Sequence, residues 1–537
     1  MLAVSAAPAF AAPKPLPRPA PVANDALTRA LAQGHLTPAA YTLERARSLF
    51  DLADVRREFG DVERAAGHDA TLILRDLALR LRDLPAAERK EARTLLARPS
   101  DGFGNDDDGW LVAEAPDSQA GEGCDTNVCI HWVNSTADAP PAGDTDADGV
   151  PNWVEDVVQP TFATVWATEI TGLGNPAPKS DLSSTNDGGD AKLDVYLADL
   201  GDDALFGYCT SDDPNLDSPG YPFFDFSSYC VLDDDFADFG TEWTPTQFTQ
   251  VVAAHEFRHA SQFAEDAAED LWLMEGEAMW MEGQVYPTVT DRFDYLETSP
   301  LSRPSNSLDH GKNFYEYGAW VFFQYLSERF GDDVVRKIWD RADASSSGPD
   351  QYSMQATSNA IAAEGDQFYG TFRTFTEWNR SPAGPGHYSE GASYPTAPGS
   401  GTFRLGRGDA ISWKTVKMRH LAAAYYSFKP ASDGRAKAGL KVTVDLPATS
   451  TKPAATLLVF TAGGGYSVKP ITLDSSGNGA RTVGFGRGTV TRIDLMLTNA
   501  SARYDLSTCW SGLTTYSCGG AKARDENLAY KFRARTT

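Results

Sequence analysis

Two histidines four positions apart on an apolar run constrain this chain more than any other feature. Val251, Val252, Ala253 and Ala254 lead into His255-Glu256-Phe257-Arg258-His259, and Ala260 to Phe263 follow. Residues at i and i+4 lie on one face of an α-helix, so both imidazoles can address a single ion. A helix this apolar belongs inside a domain, and Thr244 and Pro245 supply its N-cap and first position. Glu256, one residue on, reaches a water at that ion without having to be a ligand. With 8 histidines in 537 residues, the H-E-x-x-H spacing seldom arises by chance. The plainer alternative is a buried helix whose histidines only satisfy hydrogen bonds.

A catalytic metal needs a third protein ligand and an open position. Shortly downstream, Leu271-Trp272-Leu273-Met274-Glu275-Gly276-Glu277-Ala278 begins a second helical pattern that can fold back on the first. On spacing alone Glu275, Glu277 and Glu282 are all candidates. The Trp-Leu-x-Glu-Gly-x-Ala arrangement resembles the third-ligand helix of gluzincin metallopeptidases, the thermolysin and M1 aminopeptidase kind. That resemblance implies a zincin-like domain holding Zn2+ through His255, His259 and Glu275, with Glu256 as general base. Glu277 is then the second choice, and Glu282 belongs behind a ligand or at the surface. Phe314-Tyr315-Glu316-Tyr317-Gly318-Ala319 is also similar to the M1 group, where a Tyr three residues before a Gly stabilises the tetrahedral intermediate. This implies Tyr315, with Tyr317 as the alternative and plain aromatic packing as the structural reading. The Gly-x-Met-Glu-Asn element by which M1 aminopeptidases hold a substrate amino terminus is absent from the sequence, which favours an endopeptidase. The order of regions resembles that of secreted bacterial gluzincin-like proteins.

A second metal pattern lies upstream. Asp144, Asp146 and Asp148, then Gly149, Val150 and Glu155, match positions one, three, five, six, seven and twelve of a calcium loop. Val150 would serve through its carbonyl, and the expected ion is Ca2+. A solvated acidic turn before a helix is the bland alternative. Asn186 to Asp190 reads as a tight turn.

The flanking sequence divides the chain. Residues 1–24 read as a signal remnant and an Ala/Pro linker. Residues 25–100 are helical, with Ile73, Leu77, Leu81 and Leu84 at helical spacing. They form either a pro-segment, assisting folding or covering the active site, or an ordinary helical subdomain. An acidic, Gly-rich connector at 99–123 follows. Residues 124–380 mix short strands, at Val128–Val133 and Leu193–Leu197, with helices at Phe248–Phe263 and Trp320–Phe330. Beyond a Pro/Gly/Ser-rich run, residues 400–537 alternate apolar and polar at Leu440, Val442, Val444 and Leu446 and at Ile493, Leu495 and Leu497, as a β-sandwich does. The expected class is α+β.

Charge and cysteines narrow the setting. A net charge of −27 repels phosphate backbones, which argues against nucleic acid, and no run suits a membrane span. Six cysteines fall as Cys124 with Cys129, Cys209 with Cys230 and Cys509 with Cys518, without C-x-x-C spacing, which points to disulfides and export. The reading that best unites these features is a secreted metallopeptidase acting on protein or peptide substrates. A zinc hydrolase on a non-peptide bond and an idle surface-binding protein are the competing classes.

Overall fold

Leu and Ala at three- and four-residue spacing fold the N-terminal region into five helices: α1 (Ala26–Ala32), α2 (Pro38–Phe50), α3 (Leu52–Phe59), α4 (Ala70–Ala78) and α5 (Ala86–Leu95). The computed structural model describes residues 25–65, 67–101, 110, 120–217, 224–505 and 523–537. The expected leader at 1–24, most of the connector at 99–123, and Cys509 and Cys518 lie outside these residues. Asp25 caps α1 and accepts both guanidinium nitrogens of Arg45 at 2.8 Å. Leu27, Leu31, Tyr41, Leu52 and Val55 form a small local cluster, whereas Leu74 and Leu77 of α4 are buried in the large core of the central region. The helical segment is therefore packed into the central region.

The central sheet has the order β1-β2-β3-β5-β4, built from β1 (Ala120–Cys124), β2 (Val128–Val133), β3 (Leu193–Ala198), β4 (Gly207–Thr210) and β5 (Tyr229–Asp233). β2, β3 and β5 are parallel; β1 and β4 run antiparallel at the two edges. β2 and β3 are buried along their whole length, as strands covered on both faces are. Disulfides join Cys124 to Cys129 across the β1–β2 hairpin and Cys209 to Cys230 at directly opposed positions of β4 and β5. No helix among the described residues is long and apolar enough to cross a membrane.

After α6 (Gln159–Trp166) come α7 (Pro245–Phe263) and α8 (Leu271–Val285), both almost wholly buried although each carries charged side chains. α7 opens with the capping box of Thr244 and Gln247 and with Pro245 in its first turn. It lies against β4, β5 and α8. A one-turn helix α9 (Tyr315–Gly318) and helices α10 (Trp320–Phe330), α11 (Asp333–Ala342), α12 (Ser353–Ala363) and α13 (Phe368–Arg380) complete this part.

The C-terminal strands are β6 (Gly401–Leu405), β7 (Ala410–Met418), β8 (Ala422–Pro430), β9 (Gly439–Asp445), β10 (Pro453–Thr461), β11 (Tyr466–Pro470), β12 (Asn478–Gly484), β13 (Val490–Asn499) and β14 (Leu528–Thr536). They make two sheets, β11-β10-β13-β8-β6 and β12-β9-β14-β7, facing each other over one apolar core that contains Leu440, Val442, Val444, Ile493, Leu495 and Leu497. The class is α+β, with three sheets among the described residues.

Polar contacts fasten the sandwich to the helices. Arg380 of α13 donates to Asp494 at 2.7 Å, and Tyr425 donates to the Thr376 carbonyl at 2.6 Å. His420, buried between the two parts, stands 3.0 Å from Asp309 and 2.9 Å from Glu526. Burial alone would lower its pKa, but Asp309 and Glu526 outweigh burial and raise it from 6.5 to about 9. A pKa raised on folding stabilises fully below the ordinary value, and that stabilisation is lost as pH rises through the folded value. Urea unfolding should therefore show stability falling between about pH 6.5 and 9. His420→Gln should remove roughly 2–3 kcal/mol at neutral pH and flatten that slope.

Candidate metal centre

The i, i+4 spacing on α7 places His255 and His259 side by side, with their Nε2 atoms 3.1 Å apart. α8 packs on α7 and brings the Glu275 Oε2 to 3.2 Å from the His255 Nε2 and 3.5 Å from the His259 Nε2. Gly276 lets the other side of α8 lie close to α10, because a Cβ there would stand 3.0 Å from both Ala319 and Phe323. Three atoms held about 2.0–2.1 Å from one tetrahedral ion lie about 3.3–3.4 Å from each other. The observed triangle has that size.

The protons agree with the distances. The Gln262 amide nitrogen donates to the Met274 carbonyl and to Glu277. Its oxygen, 2.8 Å from the His259 Nδ1, must then accept, which leaves the His259 Nε2 bare. The His255 Nδ1 sits 2.8 Å from the Glu282 Oε1, the carboxylate–imidazole pairing that turns Nε2 toward a metal. With each Nδ1 donating, three acceptors converge among buried side chains: His255 and His259 are 0% exposed and Glu275 is 1% exposed. Burial, with His68 and His259 alongside, drives His255 well below its usual pKa and keeps it neutral. Burial also pulls His259 down, but Glu275 outweighs it and raises that imidazole. A cation and a shared proton are the two ways to reconcile such a triangle, and two imidazoles with one carboxylate oxygen form a donor set suited to zinc.

Glu256 is fully buried next to the pair. Burial pushes its carboxyl up, but His68 and the two α7 imidazoles outweigh that and hold it below the ordinary range. Its Oε2 accepts from the Thr71 hydroxyl at 2.6 Å, and its Oε1 lies 3.4 Å from the His68 Nδ1. The ring of His68 stacks on that of His255 at 3.9 Å.

Glu277, the second-choice ligand on spacing, points elsewhere. It accepts from Arg258 Nε at 2.6 and 2.8 Å, and Arg258 is itself fully buried. Glu282 lies behind His255. Tyr315 is not brought to the centre: its ring lies 5.7 Å from that of His310, on the side of Asp309 and Tyr425. Tyr317 takes the place expected for Tyr315, with its ring 6.4 Å from that of His255 and its hydroxyl donating to Asp69 at 2.8 Å. The reason is rotational. Asn313 and Phe314 are both left-handed, and positions two apart on the single turn that follows face opposite ways. Sequence reading also left out Gln262, which the i+3 spacing from His259 could have disclosed, and His68 and Thr71, for which no local pattern exists.

The acidic loop folds separately and stays exposed. Oxygen atoms of Asp144, Asp146 and Asp148 lie within 4.8 Å of one another. Asp144 accepts from the amides of Ala147 and Gly149, and Gly149 adopts the positive φ of 95° that its turn requires. Those amides, Gly149 first, lower the Asp144 pKa, while desolvation and then Asp146, Asp148, Asp156 and Asp144 raise that of Glu155.

Fold and centre together define an α+β protein with a buried two-histidine, one-carboxylate cluster and a neighbouring glutamate. A family of unknown function (DUF6055) matches residues 240–380, the segment carrying His255, Glu256, His259, Glu275 and both tyrosines. No curated protein matches the chain. Among solved structures, the pre-peptidase C-terminal domain of a collagenase from Bacillus anthracis is 10% identical, with a TM-score of 0.15, over 26% of this chain and 97% of that one. A family GH115 4-O-methyl-α-glucuronidase with specificity for decorated arabinogalactans is 11% identical, with a TM-score of 0.14, over 55% of this chain and 40% of that one. Likenesses this slight carry no argument about fold or activity.

The two acidic residues of α8 should separate cleanly in experiment. Glu277→Ala strands a buried guanidinium, and chemical denaturation should record a loss of about 3–5 kcal/mol. Glu275→Ala should lose far less stability but weaken the uptake of a divalent cation, measured by titration calorimetry.

Proposed function

We propose that this chain is a secreted, zinc-dependent metallopeptidase of the gluzincin kind, with a zincin-like central domain, that cleaves within protein or peptide chains. The observation that carries this reading is the triangle of two imidazole nitrogens and one carboxylate oxygen, 3.1 to 3.5 Å on a side, on the H-E-x-x-H helix and its partner. Export is supported by the two disulfides, which suit an oxidising compartment.

His255, His259 and Glu275 would hold the zinc. When bound there, zinc supplies a Lewis acid that polarises a carbonyl and lowers the pKa of water. The side chains do the rest. Glu256, held as a carboxylate, takes the proton of the attacking water and returns it to the departing amine. Tyr317, with its hydroxyl turned from Asp69, donates to the substrate carbonyl oxygen as negative charge develops. Glu282 and Gln262 hold the two imidazoles in the tautomer that faces the centre.

Metal analysis should find one zinc per chain at this cluster, lost in His259→Ala. Glu256→Gln should keep the zinc, while hydrolysis of a peptide library falls about 10²–10⁴-fold. Retained hydrolysis in that variant would sink the assignment, as would a parent chain that takes up no zinc.

We infer further that Asp144, Asp146, Asp148, the Val150 carbonyl and Glu155 hold Ca2+ as a stabilising ion. Calcium added to calcium-free protein should raise the melting temperature, by mass action on the folded state. The rise should vanish in Asp144→Asn/Asp148→Asn. An equal rise in that variant would rule the loop out.

A further inference from the structure

Charge changes sign along this chain. Residues 401–537 hold 20 Lys and Arg against 8 Asp and Glu, a net charge of +12. The first 400 residues hold 27 against 66, or −39. The sandwich is therefore a basic module carried on an acidic body.

Its two sheets differ in what their outer faces meet. The sheet β11-β10-β13-β8-β6 turns Tyr425, Asp494 and Thr498 toward α13, where they bond to Thr376 and Arg380. The outward side chains of β12-β9-β14-β7 are open to solvent instead. Lys441 and Thr443 of β9 alternate with buried Leu440, Val442 and Val444, and exposed Arg533 and Arg535 of β14 alternate with buried Phe532 and Ala534. The register sets Lys441 opposite Arg535 and Thr443 opposite Arg533. Side chains on one face of a sheet stand about 7 Å apart along a strand and about 5 Å apart across strands, so the three cations form one patch.

The patch has kept its charge in a chain rich in carboxylates. Among the described residues, none of Lys441, Arg533 and Arg535 has an ion-pair partner, and Asp445 of β9 is taken by Lys531 at 2.9 Å. Beside them stands Trp413 of β7, 43% exposed and the only exposed tryptophan among the described residues. The Arg533 guanidinium lies over its ring at 4.7 Å from the centroid. Together with Ser412 and Thr443 these groups line a cleft of about 620 Å³. An open indole and clustered like charges each cost stability, and an anion that covers both recovers it.

We propose that this face binds an anionic polysaccharide, one that carries carboxylates on its sugar rings. Arginine forks pair with planar carboxylates through two hydrogen bonds at once, and the C–H face of a sugar ring stacks on indole. Duplex nucleic acid fits less well, because its dense phosphate charge is repelled by the acidic body. A lipid surface asks for apolar side chains standing proud of the face, whereas Trp413 lines a cleft. The binding needs neither zinc nor peptidase activity.

The test is surface plasmon resonance of the full chain over immobilised polygalacturonate, with dextran, duplex DNA and phosphatidylglycerol vesicles as comparison surfaces. The parent should bind polygalacturonate in a salt-sensitive way and leave dextran alone. Arg533→Ser/Arg535→Ser and, separately, Trp413→Ala should each raise the Kd about tenfold. Arg404→Ser/Lys452→Asn removes the same charge from exposed positions on or beside the other sheet and should keep the parent Kd. All of these positions are exposed, so the melting temperature should stay at that of the parent. A parent that does not bind polygalacturonate would overturn the proposal. So would an equal loss in the Arg404/Lys452 pair, or undiminished binding in Trp413→Ala, since either would reduce the effect to net charge. Tighter binding to DNA or to the vesicles would assign the face to that partner and overturn the polysaccharide.

Discussion

Two imidazole nitrogens and one carboxylate oxygen stand within 3.5 Å of one another on buried side chains. Such a grouping repels itself unless a positive charge sits among its members, and it persists only when the surrounding structure leaves its members no other place to go. Here that restraint comes from two buried helices. α7 and α8 bury nearly every side chain they carry, so neither can rotate without exposing core surface. The imidazoles are fixed in turn from behind by Glu282 and Gln262.

The neighbouring charges are arranged to support that geometry. Arg258 lies between the two histidines in sequence yet faces away, where Glu277 neutralises it. Glu277 also accepts from Gln262, whose oxygen orients His259. One buried ion pair therefore holds the tautomer of a neighbouring imidazole by way of an amide. The sheet contributes differently: its edge strand β4 brings backbone donors up to Glu256, and the N-terminal segment makes use of them.

Much of this was legible in the residues themselves, and where it was not, the cause is distance along the chain. The helix bearing His255 and His259 follows from a four-residue period and from the cap at Thr244, both local. Strands at 128–133, 440–446 and 493–497 follow from runs of apolar and alternating side chains. The choice among Glu275, Glu277 and Glu282 could not be made from spacing, since all three lie on the same helix; rotation of α8 against α7 decides it. Tyr315 and Tyr317 were separated only by the left-handed turn at Asn313 and Phe314. His68 and Thr71 reach Glu256 from 188 and 185 residues away, and no periodicity marks them.

By itself the sequence determined which side chains could share an ion along one helix face, where the chain turns from helices to strands, and which cysteines stood near enough to pair, because each depends on contacts within a few residues. Tertiary structure alone decided which glutamate and which tyrosine meet the imidazoles, and that an N-terminal stretch lies across them. Those outcomes depend on the packing of whole elements, where burial of apolar surface sets the rotation and the polar groups take whatever partners that rotation brings.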